Sequence, residues 1–179
     1  MFKRIVCAGF GGQGIMVMGK LISQAAMLEG KEVTWMPSYG AEVRGGTAHS
    51  MVTVSDDEIS SAAFTLPHDC IIMNRPSLLK FEKRIISGGL MVINSSLVHD
   101  EVKRKDITGI KIPATEVAKD LGQIKVANMV ILGAYQAITK LVSFSSLVES
   151  LEVVIPPHRK NLISLNIKAL EKGRVLAGK

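Results

Sequence analysis

Between residues 5 and 15 the chain passes from an apolar run, Ile5-Val6-Cys7-Ala8, through Gly9-Phe10-Gly11-Gly12-Gln13-Gly14 and into a helical pattern that starts at Ile15. A continuous apolar run followed by a glycine turn reads as a buried parallel strand rather than a half-exposed one. Beyond Gly14, apolar residues return at Ile15, Met18, Ile22 and Ala25 or Ala26 until Gly30 supplies a stop. Gly9, Gly11 and Gly14 have the G-x-G-x-x-G spacing. There, glycine permits the turn, admits a phosphate close to the backbone and lets helix pack on strand. The N–H groups of the helix start can then face an anion.

The same spacing also serves as the bare first corner of a doubly wound sheet. A dinucleotide site needs more, an acid at the end of the second strand to accept the ribose hydroxyls. Val33-Thr34-Trp35-Met36 runs instead into Pro37 and Ser38, and Glu29 and Glu32 precede it. NAD is therefore disfavoured, while an anion at the turn stays open.

The second strand leads into Pro37-Ser38-Tyr39-Gly40-Ala41-Glu42-Val43-Arg44-Gly45-Gly46-Thr47. Three glycines free the backbone of this loop, and a phenol, a carboxylate and a guanidinium arm it with directional hydrogen-bonding groups. It leaves the strand at the sheet edge where open α/β folds place ligands. An Arg44–Glu42 pair that only fixes the loop is the plain alternative.

Further strands are expected at Ala48 to Val54, which alternates around Met51 and Val52, at Cys70 to Met73, Leu90 to Ile93 and Ile107 to Ile112. Helices are expected from Pro76 to about Gly88, from Pro113 to Leu121, at Ala127 to Leu141, and at about 145–154 and 158–173, with Pro156-Pro157 between the last two. The alternation predicts a Rossmann-like, doubly wound α/β fold: a largely parallel sheet, helices on both faces and a helical C-terminal segment. One domain over 1–179 accommodates it. The helix from Ala127 is apolar on nearly every side, so it needs either a central position or a subunit interface. A second copy of the chain is expected to cover it and the loop in the absence of partners.

Charged residues make up 21% and hydrophobic residues 47%, which excludes a disordered chain. The longest apolar stretch, Ala127 to Ile138, carries Asn128 and Gln136, and Met1-Phe2-Lys3-Arg4 leads straight into a core strand; a cytoplasmic, non-membrane protein is expected. The net charge of +6 comes with only 4% aromatic residues and no basic-aromatic interleaving, so nucleic acid is not the expected partner. Lys103-Arg104-Lys105 and His158-Arg159-Lys160 read as solvated faces, and docking onto acidic subunits accounts for the charge equally well. Cys7 and Cys70 sit in strand-like runs as core packing, two thiols where a cubane cluster takes four. The four histidines have no zinc spacing, and the chain has no nucleophile elbow, Walker lysine or internal repeat.

Together, Gly9-Phe10-Gly11-Gly12-Gln13-Gly14 and Ser38-Tyr39-Gly40-Ala41-Glu42-Val43-Arg44-Gly45-Gly46-Thr47-Ala48 resemble the gamma subunit of 2-oxoacid:ferredoxin oxidoreductases, over nearly the whole chain through Ala127-Asn128-Met129. The stretch Gly40 to Thr47 is more similar to the 2-oxoglutarate type than to the pyruvate type, with branched-chain 2-oxoacids second. The resemblance implies a subunit whose alpha and beta partners hold thiamine diphosphate and decarboxylate the 2-oxoacid. Iron–sulfur clusters on other chains, a ferredoxin-like subunit among them, carry the electrons, and coenzyme A takes the acyl group. This chain alone would bind no cofactor and catalyse nothing.

On that reading the candidate site comprises Gly9, Gly11, Gly12, Gln13 and Gly14 with Ser38, Tyr39, Gly40, Glu42, Arg44, Gly45, Gly46 and Thr47. The turn amides and Arg44 would meet a coenzyme A phosphate or a neighbouring subunit's carboxylate, and Glu42 and Tyr39 would orient the loop. The rival readings are a non-catalytic assembly domain and a stand-alone dinucleotide-dependent oxidoreductase.

Overall fold

The computed structural model describes residues 1–39 and 47–178. Six strands form one sheet: β1 (Phe2–Phe10), β2 (Glu32–Tyr39), β3 (Thr47–Ser55), β4 (Asp69–Ile72), β5 (Leu90–Asn94) and β6 (Thr108–Ile112), in the order β2-β3-β1-β4-β5-β6. Strands β1, β4, β5 and β6 are mutually parallel, and β3 alone runs against both neighbours. The largely parallel, doubly wound architecture is thus the observed one.

Helices α1 (Ile15–Leu28), α3 (Ala114–Asp120), α4 (Ala127–Thr139), α5 (Phe144–Val154) and α6 (Ile163–Ala177) bury the larger core against Ile5, Cys7, Val52, Ile71 and Val92. On the other face α2 (Arg75–Phe81) packs Leu78 and Phe81 over Val6, Ala8, Cys70, Ile72 and Met91. Asn74 caps α2 by accepting a hydrogen bond from Ser77 N at 2.9 Å, which with Pro76 in the first turn fixes where that helix begins.

The strand expected at Ala48 to Val54 is β3, an interior strand between β1 and β2 whose residues Ser50 to Ser55 are all buried. One expectation changes. The second strand does not stop at Met36 but continues through Pro37 and Ser38 to Tyr39. It lies at the sheet edge and pairs with β3 alone, where a proline lacking its N–H is tolerated.

The all-round apolar helix α4 occupies the central position, buried from Ala127 to Gln136. It crosses α6 so closely that a β-carbon at Gly133 would lie 2.0 Å from the Leu170 carbonyl oxygen, and one at Gly173 1.8 Å from that of Val130. Its own chain therefore covers it, and its apolar surface gives no ground for self-association.

At each of these glycines an added methyl meets helix backbone, which cannot rotate aside. Gly133→Ala and Gly173→Ala should each destabilise the fold by about 3 kcal/mol, the upper end for an overpacked core. Denaturant unfolding measures this, and wild-type midpoints would refute the close crossing.

His49, half-buried against Phe81 at 5.4 Å between ring centres, has its pKa pushed down to about 4 by burial and by the Lys80 and Arg84 charges. His68 is pushed down too, first by burial and then by Arg4 and Lys3. Between about 6.5 and 4 the unfolded chain therefore takes up protons that folded His49 refuses. Stability is full above that window and falls as pH drops through it. Thermal melts at successive pH values should show this slope, flattened but not abolished in His49→Gln.

Candidate functional site

Strand β1 delivers the chain to Phe10, and α1 takes it up at Ile15. The turn between them is built by backbone conformations that side chains resist. Gly12 has φ 94° and Gly14, the residue that caps α1, has φ 73°.

Three bonds lock it. Gln13 N donates to the Phe10 carbonyl at 3.2 Å, and the Gln13 carboxamide accepts from Phe10 N at 2.7 Å while donating to the Met73 carbonyl at 3.2 Å. Gln13 thus ties the turn to the end of β4. Packing reinforces the tie, since a β-carbon at Gly9 would meet Gln13, Ile15 and Met73. From α4, the buried Asn128 side chain donates to the Gly14 carbonyl at 3.4 Å, and a β-carbon at Gly14 would stand 2.3 Å from that amide nitrogen.

Three clefts open onto the turn, and Gly12 lines each of them. One of about 220 Å³ runs between Gly14, Asn128, Ile155, Arg159 and Asn166, with Lys125 on its wall. A second, about 210 Å³, is bounded by Gln13, Met73, Leu97, Thr115 and Ile124. The third, about 620 Å³, lies between Phe10, Gly11, Met16, Tyr39 and Ala48. Among the described residues that line them there is no Asp or Glu, and the side-chain charges are those of Lys125 and Arg159. The positive end of α1, where no described carboxylate lines the clefts and two cations do, is an electrostatic setting for a phosphate or carboxylate.

Gly9, Gly11, Gly12, Gln13 and Gly14 are therefore brought together, and the described ends of the second loop join them. Thr47 pairs with Phe10, and Tyr39, paired with Ala48, lines the third cleft with Gly11 and Gly12. Ser38 pairs with His49 one step farther along β2. Gly40, Glu42, Arg44, Gly45 and Gly46 lie outside the described residues.

Asn128, Lys125 and Arg159 were not singled out as site residues. Asn128, a polar residue in the first turn of an otherwise apolar helix, was the available signal; the two cations stand far along the chain and only the fold brings them here.

Strand β3, beginning at this edge with Thr47, occupies the place beside β1 where a dinucleotide fold has its acid-bearing second strand. Cys7 and Cys70 are fully buried on neighbouring strands, with burial pushing the Cys7 thiol up to about 12. No group of three or more His, Cys, Asp or Glu able to hold a metal occurs among the described residues. No described helix is long and apolar enough to cross a membrane.

Residues 4–176 match the family described as pyruvate ferredoxin/flavodoxin oxidoreductase. The chain is 35% identical over 182 residues to the 2-oxoglutarate synthase subunit KorC of Methanocaldococcus jannaschii, covering 99% of this chain and 95% of that protein. It is 36% identical over 172 residues to the ketoisovalerate oxidoreductase subunit VorA of Methanothermobacter marburgensis, covering 95% of this chain but 35% of that one, so it spans about a third of that relative's length. Among solved structures, the keto/oxoacid ferredoxin oxidoreductase gamma subunit from Geobacter sulfurreducens superposes with TM-score 0.84 at 28% identity, covering 98% of each chain. The 2-oxoglutarate:ferredoxin oxidoreductase from Magnetococcus marinus, with 2-oxoglutarate, coenzyme A and succinyl-CoA bound, superposes with TM-score 0.88 at 26% identity over 99% of this chain and 31% of that one.

Both Gly12 and Gly14 tolerate alanine poorly for their backbone angles, at a cost of about 1 kcal/mol each. Only Gly14→Ala also displaces Asn128. It should therefore destabilise the protein by a further 1 kcal/mol or more, roughly the cost of overpacking. Equal denaturation midpoints for the two variants would contradict the Asn128 contact.

Proposed function

The chain belongs to the pyruvate ferredoxin/flavodoxin oxidoreductase family, and on that premise we propose that it is the gamma subunit of a 2-oxoacid:ferredoxin oxidoreductase whose glycine-turn edge receives coenzyme A. One observation carries the ligand assignment: three clefts meet at Gly12, at the positive end of α1, with Lys125 and Arg159 as their charged side chains. Coenzyme A is a polyanion with a long thin arm. Its phosphates suit the turn amides and the two cations. The arm suits a narrow, largely apolar cleft that leads away from them.

Arg44, from the loop anchored at Tyr39 and Thr47, would add a further charge-assisted contact, with Glu42 ordering that loop. Thiamine diphosphate and the iron–sulfur clusters are assigned to partner chains, namely the alpha and beta subunits and a ferredoxin-like subunit. No residue here is assigned as acid, base or nucleophile. The 2-oxoacid is proposed to be 2-oxoglutarate first and a branched-chain 2-oxoacid second. Both reaction types occur among the named relatives, and the pocket that chooses between them is expected on other subunits.

In the assembled complex, replacing both Lys125 and Arg159 with alanine should raise KM for coenzyme A about tenfold, the loss of roughly 1.4 kcal/mol of charge-assisted binding. The KM for the 2-oxoacid should not change. Arg44→Ala should act in the same direction. An unchanged coenzyme A KM in all of these variants would remove the ligand role and favour an assembly domain. The purified chain alone should not decarboxylate a 2-oxoacid, and turnover by it would overturn the subunit assignment.

A further inference from the structure

Like charges held near one another repel, so cationic side chains gathered around one point need an explanation. Such a point lies on the α2 side of the sheet, across from α1: the ring of Phe81. Lys80 Nζ stands over it, 5.1 Å from the ring centre, and His49 of β3 meets it edge-on. Arg84 follows one turn after Lys80, in a tight turn where Arg84 N and Ile85 N both donate to the Phe81 carbonyl, at 3.0 and 2.9 Å. The charges of Lys80 and Arg84 both reach His49, and that of Arg84 reaches Lys80.

No described carboxylate answers them. Among the described residues Lys80, Arg84 and His49 make no ion pair. Glu82, the one acid between Lys80 and Arg84, is buried and committed elsewhere, accepting from Arg104 N at 3.0 Å and from Lys103 N. The strands beside His49 place Ala8 and Ser38 opposite it, and neither titrates. The C-terminal end of α2 accounts for Lys80, because a cation there meets the helix dipole. It does not account for a histidine delivered by β3 or for Arg84 beyond the helix.

We propose that Lys80, Arg84 and His49 form a binding site for a phosphate group, one that the coenzyme A reading does not use. A phosphate monoester has three strong acceptor oxygens, enough for an ammonium, a guanidinium and an imidazole at once, where a carboxylate has two. Phe81 holds the ammonium and the imidazole against one surface, and half-buried His49 forms its floor. A bound phosphate also reverses the local electrostatics. Burial and the two cations keep His49 neutral down to about 4, and the anion gives its charged form a partner. Inorganic phosphate and a phosphate monoester share this chemistry.

The test follows the His49 imidazole resonances of the whole chain by NMR through the acid range at fixed ionic strength, identified by their loss in His49→Gln. Inorganic phosphate should raise the His49 midpoint by about one unit, the mark of a tenfold preference for the charged ring, and acetate should not. Lys80→Gln and Arg84→Gln alter exposed side chains, and thermal melting confirms that each variant folds. In both, the midpoint without phosphate should start higher, since one repelling charge is gone. The phosphate concentration that gives half the shift should rise about tenfold, as for the loss of one charge-assisted contact.

Glycerol 3-phosphate, run in parallel, separates the sources. A response at lower concentration than inorganic phosphate upholds the site as one for phosphorylated compounds, and an equal response upholds it for the phosphate group itself. A midpoint that phosphate does not move, an equal movement with acetate, or an undiminished response in both variants overturns the proposal. So does a silent wild type whose Glu42→Gln variant responds, because the carboxylate of the loop after β2 then fills the cluster.

Discussion

A β-carbon at Gly14 would stand 2.3 Å from the Asn128 amide nitrogen, and one at Gly9 would stand 2.5 Å from the Gln13 carboxamide oxygen. Those two exclusions bring three elements to one place. Through Gln13 the turn is bonded to the end of β4, and through Asn128 to the first turn of α4. Helix α4 is in turn clamped to α6 by the glycines of their crossing. The turn is thus braced from both sides by the most buried part of the fold, with Gln13 N and Phe10 N bonded inside it. A backbone held rigidly at a helix start is the condition for a preorganised anion site.

Charge follows from the same bracing. Lys125 stands just before α4 and Arg159 just before α6, so the two helices that hold the turn also set cations at its mouth. Three carboxylates elsewhere have partners of their own: Asp69 accepts from Tyr135 at 3.0 Å, Glu29 from Ser143 N at 2.6 Å and Asp100 from Arg75 at 2.9 Å. Part of the chain's positive charge, on Lys125 and Arg159, thus lines the clefts at the turn.

Local patterns legible along the chain had local causes. The first strand and helix, the buried strands at 70–73 and 90–93 and the burial of the helix from Ala127 follow from apolar runs and their period, which depend only on neighbours. What escaped was set by partners distant in sequence. The strand at 48–54 was legible, but nothing local says that β3 is inserted between β2 and β1 and runs against both. Pro37 read as a strand end, and only an edge position lets the strand run on to Tyr39. The site divides likewise. Its glycines announce themselves by spacing, whereas Asn128, Lys125 and Arg159 lie more than a hundred residues farther on. Of the two placements that its apolar faces allowed, a central position or a subunit interface, α4 takes the central one because α6, a less apolar helix near the end of the described residues, supplies its cover.

The central claim is that the braced turn, rather than a pocket on another chain, meets the phosphates of coenzyme A. A structure of the assembled complex with coenzyme A bound tests it most directly. The account predicts phosphate oxygens within hydrogen-bonding distance of the backbone amides between Gly11 and Ile15, with Lys125 or Arg159 beside them. Coenzyme A bound with every phosphate on other subunits, and the turn filled by a partner's side chain, would contradict it.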